Sequence, residues 1–342
     1  MHIAIVGGGI AGALLALRLT RAPRPAQVDL FLGRAPLTRD ASHASGGMVR
    51  GFEPDPAATR LAAESLAELR GSATLREWSG YRETGSVYVP ARGSDPTGSL
   101  EILDHLLPRS ATLVDRDALA REHRLRDLPE GAVGVVERRA GHISPHRLRA
   151  AVLDEIARAK AVVHRADVRQ VTTDPAVRTA DGALLRYDAV VVAAGAWTPR
   201  LLEDSGLPGA GLRTKQIQYS VCRTGLDDLP PFVEENSGLY GRRMQPGAFL
   251  LGLPTDRWDV HPDEITRDHA LAEQVVTRAE RLLGVPVRAL RTVASFDCYS
   301  DPSGLALRPV SAAGGLFTFT GGSGGAAKTA VAASRAAADA LL

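Results

Sequence analysis

The chain begins with the segment HIAIVGGGIAGALLALRL, in which three glycines have the spacing G-x-G-x-x-G. The apolar run over residues 3–6 predicts a strand buried on both faces, and residues 13–19 predict a helix. Gly7 permits a tight turn, Gly9 allows the backbone to approach a pyrophosphate, and Gly12 allows helix and strand to pack closely. Because a helix N-terminus presents free N–H groups, this turn predicts a dinucleotide site.

The composition argues against several classes of function. The chain has 342 residues, of which 44% are hydrophobic and 23% charged, which is typical of a globular protein with room for two domains. A net charge of +2 argues against nucleic acid or an anionic membrane as the main partner. Two cysteines are too few for a disulfide framework or a structural zinc site, and no stretch has the length of a membrane span. We therefore expect a cytoplasmic enzyme without a bound metal, and the oligomeric state stays open.

The second predicted strand, at residues 27–32, lacks a residue that dinucleotide folds usually have. An acid at the end of this strand normally accepts hydrogen bonds from the adenosine ribose. Here Leu32 and Gly33 stand at that place, and Asp29 comes too early. The ribose contact is therefore missing or comes from another residue. Arg34 could lie over an adenine, meet a 2′-phosphate, or remain at the surface.

Later segments are also typical of a nucleotide-binding α/β fold. Residues 141–145 open a helix that runs to about residue 159, and residues 187–197 predict a buried strand ending in a glycine turn. Residues 316–330 predict a strand, a second glycine-rich turn and an Ala-rich helix. Further strands are predicted at residues 85–90, 162–171, 212–222 and 248–253, and further helices at residues 56–69, 100–107 and 263–283.

Four motifs in order resemble the D-amino-acid oxidase superfamily of FAD-dependent amine and amino-acid oxidases: IVGGGIAG, GHISPHRLRAAV, YDAVVVAAGAWTPRLL and FTGGSGGAAKTA. The sarcosine oxidase and glycine oxidase branch is the most similar, because GGSGGAAK parallels its GFSGHGFK loop and MVR its arginine-bearing segment. The resemblance implies an α/β fold. A Rossmann-like FAD-binding domain would comprise residues 1–78, 138–208 and 290–342. An inserted antiparallel-sheet substrate domain would comprise residues 79–137 and 209–289.

The resemblance also implies how FAD binds. A strand at residues 163–168 would face the adenine, and the loop at residues 322–326 would hold the flavin ring. His43, in a segment of small residues, would touch the flavin or remain a partly buried histidine. The cofactor residues expected from the motifs and the resemblance are Gly7, Gly9, Ile10, Ala11, Gly12, Arg34, Ser42, His43, Val168, Ala194, Gly195, Trp197, Gly322, Ser323, Gly324, Gly325 and Ala326.

Three residues are implied as substrate contacts. At the matching motif positions, Arg50 and Lys328 would clamp the substrate carboxylate over the flavin. A guanidinium fork suits a carboxylate well. Lys328 is one of only three lysines, and its alternative is a solvated helix residue. Tyr240 would either donate a hydrogen bond to the substrate or pack at a strand end.

Two departures from the branch matter. The lysine that promotes reaction with oxygen should fall within residues 249–252, and none is there, so oxygen reaction would be slow or another acceptor would serve. The cysteine that links FAD covalently lies two residues before a tyrosine. Here Asp297 has that position relative to Tyr299, so we expect noncovalent FAD, with Cys298 as a small buried hydrophobic residue.

The resemblance implies oxidation of the C–N bond of an amino acid or secondary amine that carries a carboxylate. Hydride would pass to flavin N5 to give an imine, and O2 would reoxidise the flavin to give H2O2. A different electron acceptor is an alternative. An NAD(P)-dependent dehydrogenase is permitted by the first motif but disfavoured by the second glycine loop. A noncatalytic flavin-binding partner subunit would fit the missing acid and lysine, whereas Arg50 and Lys328 argue against it.

Overall fold

The structure, a computed structural model, describes residues 1–34, 40–159, 161–227, 229–311 and 314–342. The α-helices within these ranges are α1 (Ile10–Thr20), α2 (Ala41–Ala44), α3 (Pro56–Gly71), α4 (Ala73–Ser79), α5 (Thr97–Leu106), α6 (Arg116–Glu122), α7 (Pro145–Arg158), α8 (Thr198–Asp204), α9 (His269–Leu283) and α10 (Ala326–Leu341). The strands are β1 (His2–Val6), β2 (Gln27–Phe31), β3 (Met48–Val49), β4 (Arg82–Glu83), β5 (Ser86–Val89), β6 (Ala111–Asp115), β7 (Val133–Glu137), β8 (Gly141–His142), β9 (Val162–His164), β10 (Val168–Thr172), β11 (Ala176–Thr179), β12 (Leu184–Arg186), β13 (Ala189–Val192), β14 (Leu212–Thr224), β15 (Phe232–Glu234), β16 (Leu239–Gln245), β17 (Ala248–Gly252), β18 (Val287–Ser300), β19 (Ala306–Pro309) and β20 (Leu316–Thr320).

A six-stranded sheet has the order β19-β20-β13-β1-β2-β9. Its strands are parallel except for the antiparallel pair β19 and β20. The apolar side chains of β1 are buried on both faces, as predicted, and α1, α7 and α10 pack together beside the sheet. Because β1, β13 and β20 run in the same direction, the glycine turns that follow them meet at one edge of the sheet.

A second, eight-stranded sheet has the order β18-β14-β17-β16-β15-β5-β7-β6. Its strands are antiparallel except for β15 and β5. Alternate side chains point to opposite faces of such a sheet. Phe249 and Leu251 belong to a core that includes Val275 and Leu282 of α9. Leu250, between the two core residues, therefore points to the other face, which is the face that carries the candidate site.

The fold class expected from the sequence is confirmed: a parallel sheet with flanking helices and a separate, mostly antiparallel sheet. The proposed boundary at residue 290 falls inside β18, which pairs with β14 along its length. The helix expected at residues 263–283 begins only at His269, because Asp268 caps its first turn by accepting a hydrogen bond from Leu271 N at 2.9 Å. The strand expected at residues 162–171 is divided into β9 and β10.

Two smaller three-stranded sheets complete the described fold, one of β10, β11 and β12 and one of β3, β8 and β4. The second of these holds the segment before Arg50, since Met48 pairs with His142. No α-helix in the described ranges combines the length and the apolar character that crossing a membrane requires.

Candidate active site

A cavity of about 530 Å³, here called the edge cavity, follows the edge of the six-stranded sheet where the glycine turns meet. Its walls come from the turns after β1, β13 and β20, together with α2 and the chain after β9. The predicted cofactor residues that line it are Gly7, Gly9, Ile10, Ala11, Ser42, Val168, Ala194, Gly195, Trp197, Gly322, Ser323 and Ala326. Segments far apart in the sequence therefore contribute to one cavity.

Two glycines of the first turn, Gly7 and Gly12, have no space for a side chain. Gly7 has a φ of 120°, and a Cβ added to it would lie 2.4 Å from the carbonyl oxygen of Ala193. A Cβ on Gly12 would lie 2.0 Å from the carbonyl oxygen of Gly7. Both roles predicted from the motif, the tight turn and the close packing of helix and strand, therefore hold, although Gly12 lies behind the cavity wall.

The N-terminus of α1 suits a phosphate group. Gly9 is the N-cap residue and has no side chain that could accept a hydrogen bond from the first turn. The N–H of Ile10 donates to Ser42 Oγ at 3.0 Å, which ties the helix start to α2. The lining of the edge cavity also includes Gly9, Ile10 and Ala11. Backbone N–H groups and the positive end of the helix dipole are what a pyrophosphate requires, so the residues present fit a dinucleotide.

Some predicted cofactor residues lie elsewhere. The Arg34 side chain is exposed and does not line the edge cavity. His43 is also exposed and lines a neighbouring outer cavity, where its ring centre lies 5.4 Å from that of His146. The geometry therefore does not favour a contact between His43 and a flavin. On α2 the side chain of His43 points outward, whereas that of Ser42 points toward the edge cavity. Gly324 and Gly325 line the inner pocket described below.

The structure supplies an acid that the sequence analysis did not find. Asp167 lies in the edge cavity, three residues after β9, and its Oδ1 accepts a hydrogen bond from Arg34 N at 2.8 Å. Gly33 is beside it, since a Cβ added there would lie 3.4 Å from Asp167 Oδ1. Because β9 is parallel to β2, the chain after each strand arrives at the same edge. Asp29 does not line the edge cavity, and its Oδ2 instead forms hydrogen bonds with His164 and Tyr187.

A second cavity of about 370 Å³, the inner pocket, adjoins the edge cavity and shares Ile10, Ser42, Asp297 and Ser323 with it. The eight-stranded sheet forms one wall, the loop before α10 another, and the chain from α2 to Arg50 a third. Other residues lining it include Lys215, Ile217, Tyr219, Tyr240, Leu250, Tyr299, Gly324, Gly325 and Lys328.

The inner pocket brings Arg50 and Lys328 together with a buried carboxylate. Arg50 Nη2 lies 3.0 Å from Glu53 Oε1, and Lys328 Nζ donates to the same oxygen. The Arg50 side chain also donates from Nε to Phe52 O at 3.1 Å and lies 4.7 Å from the Tyr88 ring centre. Arg50 is buried and the Lys328 side chain is 11% exposed, so Lys328 is not a solvated helix residue.

A second acid completes this group, which we call the charge cluster: Arg50, Glu53, Glu137 and Lys328. Glu137 is fully buried and accepts hydrogen bonds from Gly51 N at 2.8 Å and Phe52 N at 3.0 Å. These bonds fix the turn that presents Arg50. The sequence offered no clear signal for either acid, because Glu53 and Glu137 are far apart in the chain and only the fold joins them.

The pKa values in the charge cluster reflect burial and mutual attraction. Burial raises the pKa of Glu53, but Arg50 and Lys328 together bring it below its ordinary value. Burial and then Arg50 lower the pKa of Lys328 to about 8, against the opposing effect of Glu53. Burial keeps the pKa of Glu137 above its ordinary value despite its two backbone hydrogen bonds. Lys328 is thus the cation in this pocket whose charge is lost at mildly alkaline pH.

Tyr240 belongs to the lining of the inner pocket. Its hydroxyl donates to Gln218 O at 3.4 Å, and burial raises its pKa well above the ordinary value, so the phenol stays protonated. The structure thus places the group where it can meet a ligand while packing it against β14.

Lys215 is a pocket residue that the sequence analysis missed. Residues 249–252 contribute Leu250 and no lysine, whereas Lys215 comes from β14, the strand beside β17. Its Nζ lies 4.5 Å from the Trp258 ring centre and 5.8 Å from that of Tyr299. The alternation of residues 215, 217 and 219 along one strand is the signal that could have indicated this.

Cys298 lies in the lining of the edge cavity, but its thiol is poorly suited to attack. Burial raises its pKa to about 11, so the thiolate, which is the reactive form, is scarce. Among the described residues, no group of three or more His, Cys, Asp and Glu side chains is arranged to hold a metal ion.

A family model for FAD dependent oxidoreductases (DAO) matches residues 2–340. No curated protein matches the sequence. Solved structures with the same fold include L-proline dehydrogenase from P. horikoshii, with a TM-score of 0.83 and 17% identity over 99% of this chain and 92% of that chain. Glycine oxidase from Geobacillus kaustophilus has a TM-score of 0.75 and 21% identity over 98% and 93%. Iminodiacetate oxidase from Chelativorans sp. BNC1 has a TM-score of 0.73 and 18% identity over 99% and 95%.

Proposed function

Because the chain belongs to the family of FAD dependent oxidoreductases, we propose that it oxidises the C–N bond of an amino acid or secondary amine that carries a carboxylate. The observation that carries this proposal is the position of Arg50 and Lys328. Both line the inner pocket, which shares the loop before α10 with the edge cavity. A carboxylate held there would keep its neighbouring C–N bond beside the residues that fit the cofactor.

The edge cavity suits noncovalent FAD. The N-terminus of α1 would meet the pyrophosphate, Asp167 would accept hydrogen bonds from the adenosine ribose, and the loop at residues 322–326 would hold the flavin. Bound FAD supplies a two-electron acceptor for the oxidation. The scarce thiolate of Cys298, and Asp297 at the linking position, support a noncovalent complex.

The chain's own residues would bind and orient the substrate. Arg50 offers a planar fork and Lys328 a point charge to the carboxylate. Glu53 already contacts both cations, so the incoming carboxylate must share them with Glu53 or replace it. Tyr240 and Leu250 would shape the wall of the pocket opposite the loop.

O2 is the favoured acceptor for reoxidation, and the observation behind it is Lys215. A cation beside a flavin favours the negative charge that develops as oxygen is reduced, and Lys215 lies in the inner pocket. A dehydrogenase that uses another acceptor is the second candidate, because Leu250 and its neighbours offer no lysine where the resemblance expects one.

The first test is the visible spectrum of the purified protein, before and after acid precipitation. Flavin bands near roughly 375 and 450 nm that pass into the supernatant would support noncovalent FAD. Bands that stay with the pellet would contradict it. A colourless protein that takes up no added FAD would contradict the cofactor proposal itself.

The second test mixes the flavin-loaded protein anaerobically with an amino-acid panel that includes glycine, sarcosine and L-proline. Bleaching near 450 nm would identify substrates, and O2 or an artificial dye would then be added. Peroxide formation would support the oxidase, whereas dye reduction without peroxide would support the dehydrogenase. Failure of every amino acid to bleach the flavin would favour a noncatalytic flavin-binding subunit.

A further inference from the structure

Asp297 is a buried carboxyl group, and the described residues do not supply all the hydrogen-bond partners that it can take. It is 6% exposed, and its Oδ2 has no hydrogen-bond partner among the described residues. Asp297 lies near the C-terminal end of β18 and lines both the edge cavity and the inner pocket. A Cβ added to Gly324 would lie 3.2 Å from Oδ2, so this oxygen faces the loop before α10. Buried polar atoms without a partner are rare and call for an explanation.

Among the described residues, Lys215 is the cation that interacts with Asp297. Lys215 is its direct partner across the β14–β18 ladder, but the Lys215 ammonium lies against the Trp258 ring. The other titratable groups that interact with Asp297 are Tyr240, Tyr299 and Cys298. They are neutral at physiological pH, and burial raises their pKa values further. Burial raises the pKa of Asp297 to about 7, although Lys215 lowers it.

The charged residues that line the inner pocket indicate which group of a substrate would be the partner of Asp297. Among the described residues that line it, the cations are Arg50, Lys215 and Lys328, and the single carboxyl group is that of Asp297. An amino acid in solution is a zwitterion. Its carboxylate has the basic pair as a partner. Because Glu53 is paired with those two cations, Asp297 is the acidic group lining the pocket that remains for the ammonium group. A substrate nitrogen would therefore complete the hydrogen bonding of Oδ2.

We propose that Asp297 binds the ammonium group of the substrate and accepts one proton from it. This inference rests on the proposed function and adds a catalytic residue to it. An N–H bond of the ammonium breaks, its electron pair remains on nitrogen, and an O–H bond forms at Asp297. The freed lone pair is what formation of the C=N bond requires. The proton leaves Asp297 for water after the product departs.

The test compares two ligands that differ in the amino group. 2-Aminoisobutyrate has no hydrogen on the carbon next to nitrogen, so it binds without being oxidised, and isobutyrate lacks the nitrogen. Their dissociation constants are measured by titration calorimetry on the flavin-loaded protein. We expect Asp297→Asn to weaken 2-aminoisobutyrate at least 10-fold and to leave isobutyrate within about 3-fold of the wild type, which corresponds to a loss of about 1.4 kcal/mol or more for the amine alone.

The wild-type protein gives an independent readout that requires no variant. 2-Aminoisobutyrate should bind more tightly as the pH rises through about 7, because Asp297 becomes ionised. Isobutyrate should bind less tightly over the same range, because the same charge repels it. A purely structural role for Asp297 would change both ligands alike in the variant, and this outcome would overturn the inference.

The outcomes also separate the inference from the function on which it rests. If isobutyrate binds and the amino group changes neither the affinity nor its pH dependence, the role of Asp297 is refuted and the carboxylate clamp stands. If neither ligand binds the wild type, the clamp and the inference fail together. The flavin content and melting temperature of the variant show that a lost affinity does not reflect a lost fold.

Discussion

The four charged side chains of the charge cluster contact one another or the backbone, whereas Asp297, which also lines the inner pocket, is buried with an unpartnered oxygen. Removing one member of the charge cluster is expected to destabilise the protein strongly, because its partners would remain buried without an opposite charge. Burial of Asp297 costs free energy, because no group among the described residues fully compensates its charge. The comparison teaches that the first region is organised before a ligand arrives, whereas the second is completed by one.

The largest effect should come from breaking the charge cluster. Glu53→Gln leaves Arg50 and Lys328 side by side without their shared carboxylate, and we expect a loss of stability of about 3 kcal/mol. Asp297→Asn removes a charge that has no full partner, so its effect should stay within about 1 kcal/mol. Thermal unfolding of the flavin-loaded variants, side by side, measures the difference.

A double variant makes this test specific. Replacing Lys328 by Met in the Glu53→Gln background removes one of the two uncompensated cations and should restore part of the lost melting temperature. If Glu53→Gln and Asp297→Asn destabilise the protein equally, the contrast between the two regions is wrong.

The next largest effect concerns ligand affinity. Lys328→Met should weaken isobutyrate by about 30-fold or more, because a charge-assisted hydrogen bond in a buried pocket is lost. Lys215→Met is the matched control, since it removes the same charged group from the same pocket but at a position held against Trp258. Its effect should stay below about 5-fold. An unchanged affinity in Lys328→Met would refute the clamp.

A smaller effect should appear in the pH dependence. The pKa of Lys328 is lowered to about 8, so its charge is present below that pH and is lost above it. The affinity of the free enzyme for isobutyrate should therefore fall as the pH rises through about 8, beyond the change caused by Asp297 near 7. Calorimetric titrations from pH 6 to 9 on wild type, Lys328→Met and Asp297→Asn should assign one step to each residue.

The smallest effect is expected outside the inner pocket. It tests whether the charge cluster and Asp297 act independently of the end of the edge cavity where adenosine would bind. Asp167→Asn should weaken FAD binding by about 10-fold through loss of one charge-assisted hydrogen bond, and it should leave isobutyrate affinity unchanged in protein saturated with FAD. Arg34→Ala is the control, because Arg34 contacts Asp167 through its backbone N–H. Equal losses in both variants would assign the effect to the loop rather than to the carboxylate.

The sequence predicted those parts of the molecule that depend on local pattern. The glycine turns, the buried strand β1 and the carboxyl edge of the parallel sheet follow from spacing and apolar runs, and the structure confirms them. Arg50 and Lys328 were located through motifs. Whether they hold a substrate carboxylate stays a prediction.

The residues that sequence analysis missed become neighbours only through tertiary folding. Asp167 follows β9, which reaches the site because β9 pairs with β2. Glu53 and Glu137 meet across 84 residues of chain, and Lys215 and Asp297 oppose each other across a long ladder. No local pattern marks such pairs. That His43 lies outside the edge cavity could not be read from local pattern either, since the direction of a side chain on the four-residue helix α2 depends on its packing.

The start of α10 has a consequence for how the protein assembles. Gly322 and Ser323 line the edge cavity, and Lys328 reaches the charge cluster only five residues later. The start of α10 thus positions both a wall of the edge cavity and Lys328, the cation expected to contact the ligand. On the proposed function, a cofactor that orders the start of α10 would raise the affinity of the inner pocket for an amino acid. Because such coupling is reciprocal, a bound amino acid would raise the affinity for the cofactor by the same factor.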